Sequence, residues 1–134
     1  IIFAGLLFGP ITGGAVGLVA DLLGCVLVGY AINPIITFGA FCMGIIAGFF
    51  GKKQAFKQTD HIIFSVLTCH LLCSVLIKTV GLSLYYSMPF VITLLWRLLT
   101  YVFITVAESV ILILLLKNTG LMKEIEKITG KKIL

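Results

Sequence analysis

Charged residues are scarce in this 134-residue chain and make up only 11% of it. A soluble domain carries about 25%, so this chain has too few charged side chains to cover a globule in water. Hydrophobic residues make up 60% and the mean hydropathy is +1.22, so most of the outer surface must face lipid. These proportions exclude soluble enzymes, nucleic-acid-binding modules and disordered chains.

Proline is also rare, and its three occurrences help to divide the chain into hydrophobic pieces. A helix needs about 20 mostly apolar residues to cross the hydrocarbon core. We predict spans at about 1–8 (the end of a truncated span), 11–28, 34–50, 61–77 and 89–116, with a loop at 78–88 and a tail at 117–134. A membrane β-barrel would alternate apolar and polar residues, and this chain does not. The predicted fold is an all-α integral membrane protein with a single transmembrane helix-bundle domain.

Acidic residues number five against ten lysines and arginines, and the basic residues are unevenly placed. They concentrate in the polar loop 51–60 and in the tail 117–134, where we expect a short amphipathic helix at about 121–128. Two spans separate the loop from the tail, so both lie on one side, and the positive-inside rule makes that side cytoplasmic. The turn at Asn33 and the loop 78–88 are then on the external side. We expect the membrane to be the plasma membrane of a bacterium.

Four ionisable residues lie inside the predicted spans: Asp21, His70, Arg97 and Glu108. Such residues are costly in a membrane and usually face a cavity or a partner. Arg97 comes eight residues after Pro89, which places it about 12 Å into its helix, and Asp21 lies at a comparable depth. Two interpretations stay open. Asp21 and Arg97 form a structural ion pair, or Arg97 binds an anionic ligand through its planar, permanently charged fork.

The sequence gives little support for a metal site or a catalytic site. Cys69 and Cys73 share a helix face, but His70 points about 100° away from Cys69, and nothing else is placed to complete four ligands. The sequence shows no nucleophile-base-acid set and no phosphate-binding loop. We therefore expect no enzymatic activity, no metal and no cofactor.

Small residues recur every four positions at Gly5, Gly9, Gly13 and Gly17, although Pro10 interrupts the series. This spacing lets helix backbones approach closely. The stripe is explained either by packing inside the bundle or by docking onto another membrane protein.

Several stretches resemble a known family: AGLLFGPITGGAVGLVADLLG (4–24), NPIITFGAFCMGIIAGFFGKK (33–53), LSLYYSMPF (82–90) and LLWRLL (94–99). They are similar to the folate-family substrate-binding (S) components of energy-coupling factor (ECF) transporters, in the same order along nearly the whole chain. The resemblance implies a six-helix bundle whose first helix would precede Ile1. It also implies a vitamin pocket near the external side, and association with a transmembrane coupling subunit and two cytoplasmic ATPases.

We therefore expect a non-catalytic component that captures folate or a related vitamin. Aromatic faces would stack on the vitamin ring, and cations would hold its acidic end. The candidate binding residues are Arg97, Lys78, Tyr85, Tyr86, Trp96, Asp21 and Asn33. The aromatic members also fit an interfacial belt.

Other functions remain open. The chain could be a stand-alone secondary transporter or small channel, with Asp21, His70 and Glu108 as a proton path. Within the ECF class, thiamine and riboflavin are alternative ligands.

Overall fold

The structure, a computed structural model, describes residues 1–51 and 59–129. In this part of the chain, helices and their short connections account for the whole fold, which confirms the all-α membrane bundle. The predicted loop lysines Lys52, Lys53 and Lys57, and the tail lysines Lys131 and Lys132, lie outside the described residues.

Within residues 1–51 and 59–129, four helices are long and apolar enough to cross a membrane. In chain order the helical segments are α1 (Ile2–Phe8), α2 (Pro10–Val28), α3 (Pro34–Gly51), α4 (Thr59–Cys69), a π-helical segment (His70–Ile77), α5 (Lys78–Tyr86), α6 (Phe90–Lys117) and α7 (Thr119–Thr129). The α4, π-helical and α5 segments follow one another without a break. They form one spanning helix, Thr59–Tyr86, beside α2, α3 and α6.

The ends of α2 follow from local chemistry. Gly9 takes a φ of 93° between α1 and α2, which favours glycine, and Pro10 then occupies the first turn of α2, where its missing N–H costs nothing. At the other end Gly29 adopts the left-handed conformation, with a φ of 77°. In the structure α1 ends at Phe8 and α2 ends at Val28, next to the positions where the sequence predicts breaks.

The predicted loop at 78–88 is wrong, because the helix continues to Tyr86. Gly81 looks like a turn signal in the sequence, but in the structure it lets α5 approach α3. A Cβ at Gly81 would lie 3.1 Å from Ile36 Cγ1 and 3.2 Å from Ile35 Cβ. The turn is confined to 87–89, where Ser87 has a φ of 53°. The span predicted at 61–77 thus belongs to a longer helix.

Glycines bring α2 and α3 into backbone contact. A Cβ at Gly44 would collide with the carbonyl of Gly13, and one at Gly17 would collide with the carbonyl of Ala40. Gly48 is similarly closed off by Pro10. These glycines of the small-residue stripe and of α3 pack inside the bundle, which is the first of the two interpretations.

The apolar core lies at the end of the bundle where α3 ends and α4 begins. It joins α1, α3, α4, the π-helical segment, α6 and α7 through Ile2, Leu6, Leu7, Met43, Ala47, Ile62, Val66, Cys69, Cys73, Leu112, Leu116 and Met122. The amphipathic helix predicted at 121–128 is present as α7. Its Met122 is buried while Lys123 and Lys127 are exposed. The opposite end of the bundle is less densely filled.

Candidate functional site

A cavity of about 720 Å³ opens at that opposite end, where α2 ends, α3 begins, α5 ends and α6 approaches. Ligand sites for small molecules usually measure 300–1,000 Å³, with mostly apolar walls and a few convergent polar groups. The apolar or small lining residues are Ile1, Ala20, Gly24, Cys25, Val28, Ala31, Ile36, Leu82 and Met88. The polar and aromatic ones are Asp21, Tyr30, Asn33, Tyr86 and Arg97.

Asp21 is held by two partners on other helices. Thr37 Oγ1 donates to Asp21 Oδ2 at 2.8 Å, and Lys78 Nζ lies 3.8 Å from Asp21 Oδ1. The side chains of Asp21 and Lys78 are only 13% and 15% exposed. Their opposite charges therefore compensate each other at the cavity wall, and Lys78 enters the site through Asp21 instead of lining the cavity.

Arg97 contacts a backbone carbonyl and an aromatic ring. Its Nη1 donates to the carbonyl oxygen of Ser74, and its Cζ lies 5.6 Å from the centre of the Tyr101 ring. Within residues 1–51 and 59–129, Arg97 has no carboxylate within ion-pair distance. The interpretation of Asp21 and Arg97 as a mutual pair is therefore wrong, since Asp21 pairs with Lys78. The guanidinium charge at the cavity wall stays without a neutralising partner in this part of the chain.

A histidine–glutamate pair connects α6 with the π-helical segment. His70 Nε2 lies 2.6 Å from Glu108 Oε2, and His70 Nδ1 lies 3.3 Å from Ser74 Oγ. The His70 ring also packs on Tyr101, with ring centres 5.1 Å apart. Sequence reasoning noticed His70 and Glu108 as ionisable residues in spans, but it missed their pairing and the roles of Ser74 and Tyr101. The available signal was the presence of an ionisable residue on each of two successive predicted spans.

Cys69 and the ring of its neighbour His70 contact different groups. Cys69 Sγ contacts the carbonyl oxygen of Met43 at 3.7 Å, whereas both ring nitrogens of His70 face Glu108 and Ser74. Among the described residues, no three His, Cys, Asp or Glu side chains form a group that could hold a metal ion.

Asn33 lines the cavity but uses its amide to hold the fold. Its Nδ2 donates to the Gly81 carbonyl oxygen at 2.9 Å, and its Oδ1 accepts from the backbone N–H of Ile35 at 3.0 Å. Asn33 therefore caps α3 and ties its start to α5. Its side chain forms part of the cavity wall, but both its amide nitrogen and its amide oxygen already have partners within the protein.

The predicted aromatic residues separate into two groups. Tyr86 lines the cavity, and its hydroxyl donates to the Ala31 carbonyl oxygen at 3.3 Å. Tyr85 packs edge-on against Tyr86, with ring centres 5.4 Å apart, but does not line the cavity. Trp96 is 70% exposed on the outer face of α6. The structure thus brings together Asp21, Lys78, Asn33, Tyr86 and Arg97, and leaves Tyr85 and Trp96 outside.

Comparison with protein-family models gives a match to most of the chain. The family model described as "ECF-type riboflavin transporter, S component" matches residues 1–121. The matched residues include every helix that lines the cavity and both members of the His70–Glu108 pair. Searches of curated proteins and of solved structures gave no significant match.

Proposed function

Because this chain belongs to the family of ECF-type riboflavin transporter S components, we propose that its cavity is a vitamin site and that riboflavin is the vitamin. S components of this type are membrane-embedded, substrate-binding subunits of vitamin importers and are not enzymes. They work with an ECF transmembrane and ATPase module. The S-component class predicted from the sequence is thereby confirmed. The family match does not support the more specific prediction that the ligand is folate.

The observation that carries the proposal is the cavity itself. Its volume of about 720 Å³ suits a vitamin-sized molecule, and its walls are mostly apolar. The flat ring system of riboflavin has apolar faces, which these walls and the Tyr86 ring would cover. Its ring carbonyl oxygens are acceptors for the fork of N–H groups on Arg97.

Folate is the second candidate, and Arg97 is the reason. No carboxylate of the described residues pairs with this guanidinium, so an anionic ligand would neutralise it. Folate carries two carboxylates on a tail attached to a flat ring, and charge-assisted bonds between Arg and a carboxylate are strong and bidentate. Binding of folate would therefore use the same cavity with the acidic tail at Arg97.

The direction of loading follows from the charge distribution. The cavity lies at the end of the bundle opposite Lys117 and α7. The positive-inside rule places that lysine-bearing end in the cytoplasm, so we infer that the cavity opens to the outside. The vitamin would then be captured from outside first and afterwards moved inward with the help of the ECF transmembrane and ATPase module.

A vitamin panel tests the proposal. The purified protein is titrated in detergent with riboflavin, folate and thiamine, using quenching of flavin fluorescence for riboflavin and calorimetry for the other two. We expect saturable one-to-one binding of riboflavin, and competition by folate if both use Arg97. Binding of thiamine alone would overturn both candidates, and binding of no vitamin would overturn the function.

A further inference from the structure

His70 touches both groups that hold Arg97. One is Ser74, whose carbonyl oxygen accepts from Arg97 Nη1 and whose Oγ lies 3.3 Å from His70 Nδ1. The other is Tyr101, whose ring lies 5.6 Å from the Arg97 Cζ and 5.1 Å from the centre of the His70 ring. Two separate paths of contact therefore run from the histidine to the guanidinium.

Glu108 fixes the orientation of the His70 ring. The carboxylate lies 2.6 Å from Nε2, and the His70 side chain is only 7% exposed. When Nε2 donates to the carboxylate, a neutral ring leaves Nδ1 to accept from the hydroxyl of Ser74. The ring is then held at both nitrogens and on one face, so it has a single orientation.

The backbone conformation at this point serves the same contact. His70–Ile77 is π-helical, and the N–H of Lys78 reaches back five residues to the carbonyl oxygen of Cys73. Single π-helical turns inside α-helices occur frequently at functional sites. The carbonyl oxygen of the next residue, Ser74, accepts the hydrogen bond from Arg97 Nη1.

We propose that His70 and Glu108 are positioning residues for Arg97, which they hold at the cavity wall ready for the vitamin. This inference rests on the proposed function. An arginine side chain has many rotamers, and fixing it before the ligand arrives lowers the entropy that binding must overcome. A binding group keeps its geometry only when neighbouring side chains lock its rotamer. Glu108 locks His70, and His70 locks Ser74 and Tyr101 around the guanidinium.

A double-mutant cycle between His70 and Arg97 tests the proposal. His70→Phe keeps a ring against Tyr101 but removes both hydrogen bonds, and we expect it to weaken riboflavin binding about tenfold, the loss of one charge-assisted contact. In the Arg97→Ala background the same change should cost almost nothing more, because the group that it positions is gone. His70→Gln, which can still hydrogen-bond, should restore part of the affinity. His61→Phe, at the exposed histidine near the start of α4, is the matched control.

Additive losses in the cycle would overturn the positioning role, because they would mean that His70 supports the fold independently of Arg97. If His70→Phe does not fold, Glu108→Met takes its place in the cycle, and Glu124→Met at the exposed glutamate of α7 is its control.

Thermal unfolding of the same four proteins without vitamin separates this inference from the proposed function. Coupled stability losses support the network, and additive ones overturn it, whichever vitamin binds. A wild-type protein that binds neither riboflavin nor folate would overturn the proposed function alone, and the unfolding cycle would still decide whether His70 holds Arg97.

Discussion

Lys78 Nζ lies 3.8 Å from Asp21 Oδ1, and this ion pair joins α5 to α2 at the wall of the cavity. Asp21 also accepts a hydrogen bond from Thr37 on α3. Three helices therefore meet at one carboxylate, and its charge is compensated inside the protein. Arg97 also lines the cavity, and its charge has no ion-pair partner among the described residues.

Removing the cation of this pair should destabilise the protein. Lys78→Met leaves Asp21 as a partly buried carboxylate without a cation; the loss should stay below the roughly 3–5 kcal/mol of a fully buried pair, because Asp21 is 13% exposed. Asp21→Asn combined with Lys78→Met should recover most of that loss, because no uncompensated charge remains. Thermal unfolding in detergent measures both. Lys123→Met, at an exposed lysine of α7, is the control, and an equal loss there would contradict the importance of the pair.

The contact between α2 and α3 predicts a strong effect at Gly44. Gly44→Ala places a methyl group against the carbonyl of Gly13, and overpacking of this kind costs about 1–3 kcal/mol or more. Gly24→Ala is the matched control, since a Cβ at Gly24 meets nothing within 4 Å. Thermal unfolding should separate the two variants clearly. Equal stability of both would mean that α2 and α3 do not pack through these glycines.

Hydropathy and turn residues were enough to predict an all-α membrane bundle, because a membrane requires long apolar helices with their hydrogen bonds satisfied internally. The end of the helix at Tyr86 was missed because Gly81 serves close packing against α3, which the sequence of α5 alone does not reveal. Asp21 and Arg97 were predicted as important residues from their depth. Their partners were not, because the rotation of each helix against its neighbours decides which side chains meet.

The π-helical segment was also beyond sequence reasoning. Hydropathy records which residues are apolar, but not whether a backbone N–H bonds four or five residues back. The sequence therefore does not predict this segment. In the structure it is recognised by its backbone hydrogen bonding, and it contacts Arg97 and Glu108. Tyr101 was missed for a related reason, since it reads as one more apolar residue of α6.

Orientation in the membrane can be checked by thiol labelling. On a background without the four native cysteines, Ala31→Cys lies between α2 and α3, and Lys127→Cys lies on α7. A membrane-impermeant reagent added to intact cells should modify the first and not the second. After permeabilisation both should react. Labelling of Lys127→Cys in intact cells would reverse the predicted topology.

Arg97 should matter for affinity and in a ligand-dependent way. Arg97→Ala should weaken riboflavin binding by about 1.5–3 kcal/mol, the contribution of a hydrogen bond to a charged group. Folate should lose more, about 2–5 kcal/mol, because a carboxylate would lose its charged partner. Arg97→Lys should recover only part, since it lacks the planar fork. Calorimetric titration gives these values, with Lys117→Ala as the control, and unchanged affinity for both vitamins would exclude Arg97 from the site.

The most direct test of the vitamin site is to fill the cavity and titrate riboflavin. Gly24 lines the cavity, and a Cβ at this position meets nothing within 4 Å, so we expect the ring of Gly24→Phe to extend into the cavity. Leu27→Phe is the matched control, because Leu27 lies on the same helix, is 84% exposed and does not line the cavity. We expect both variants to fold as shown by thermal unfolding, Leu27→Phe to bind riboflavin like the wild type, and Gly24→Phe to lose binding. Wild-type affinity in a folded Gly24→Phe protein would contradict the assignment of this cavity as the vitamin site.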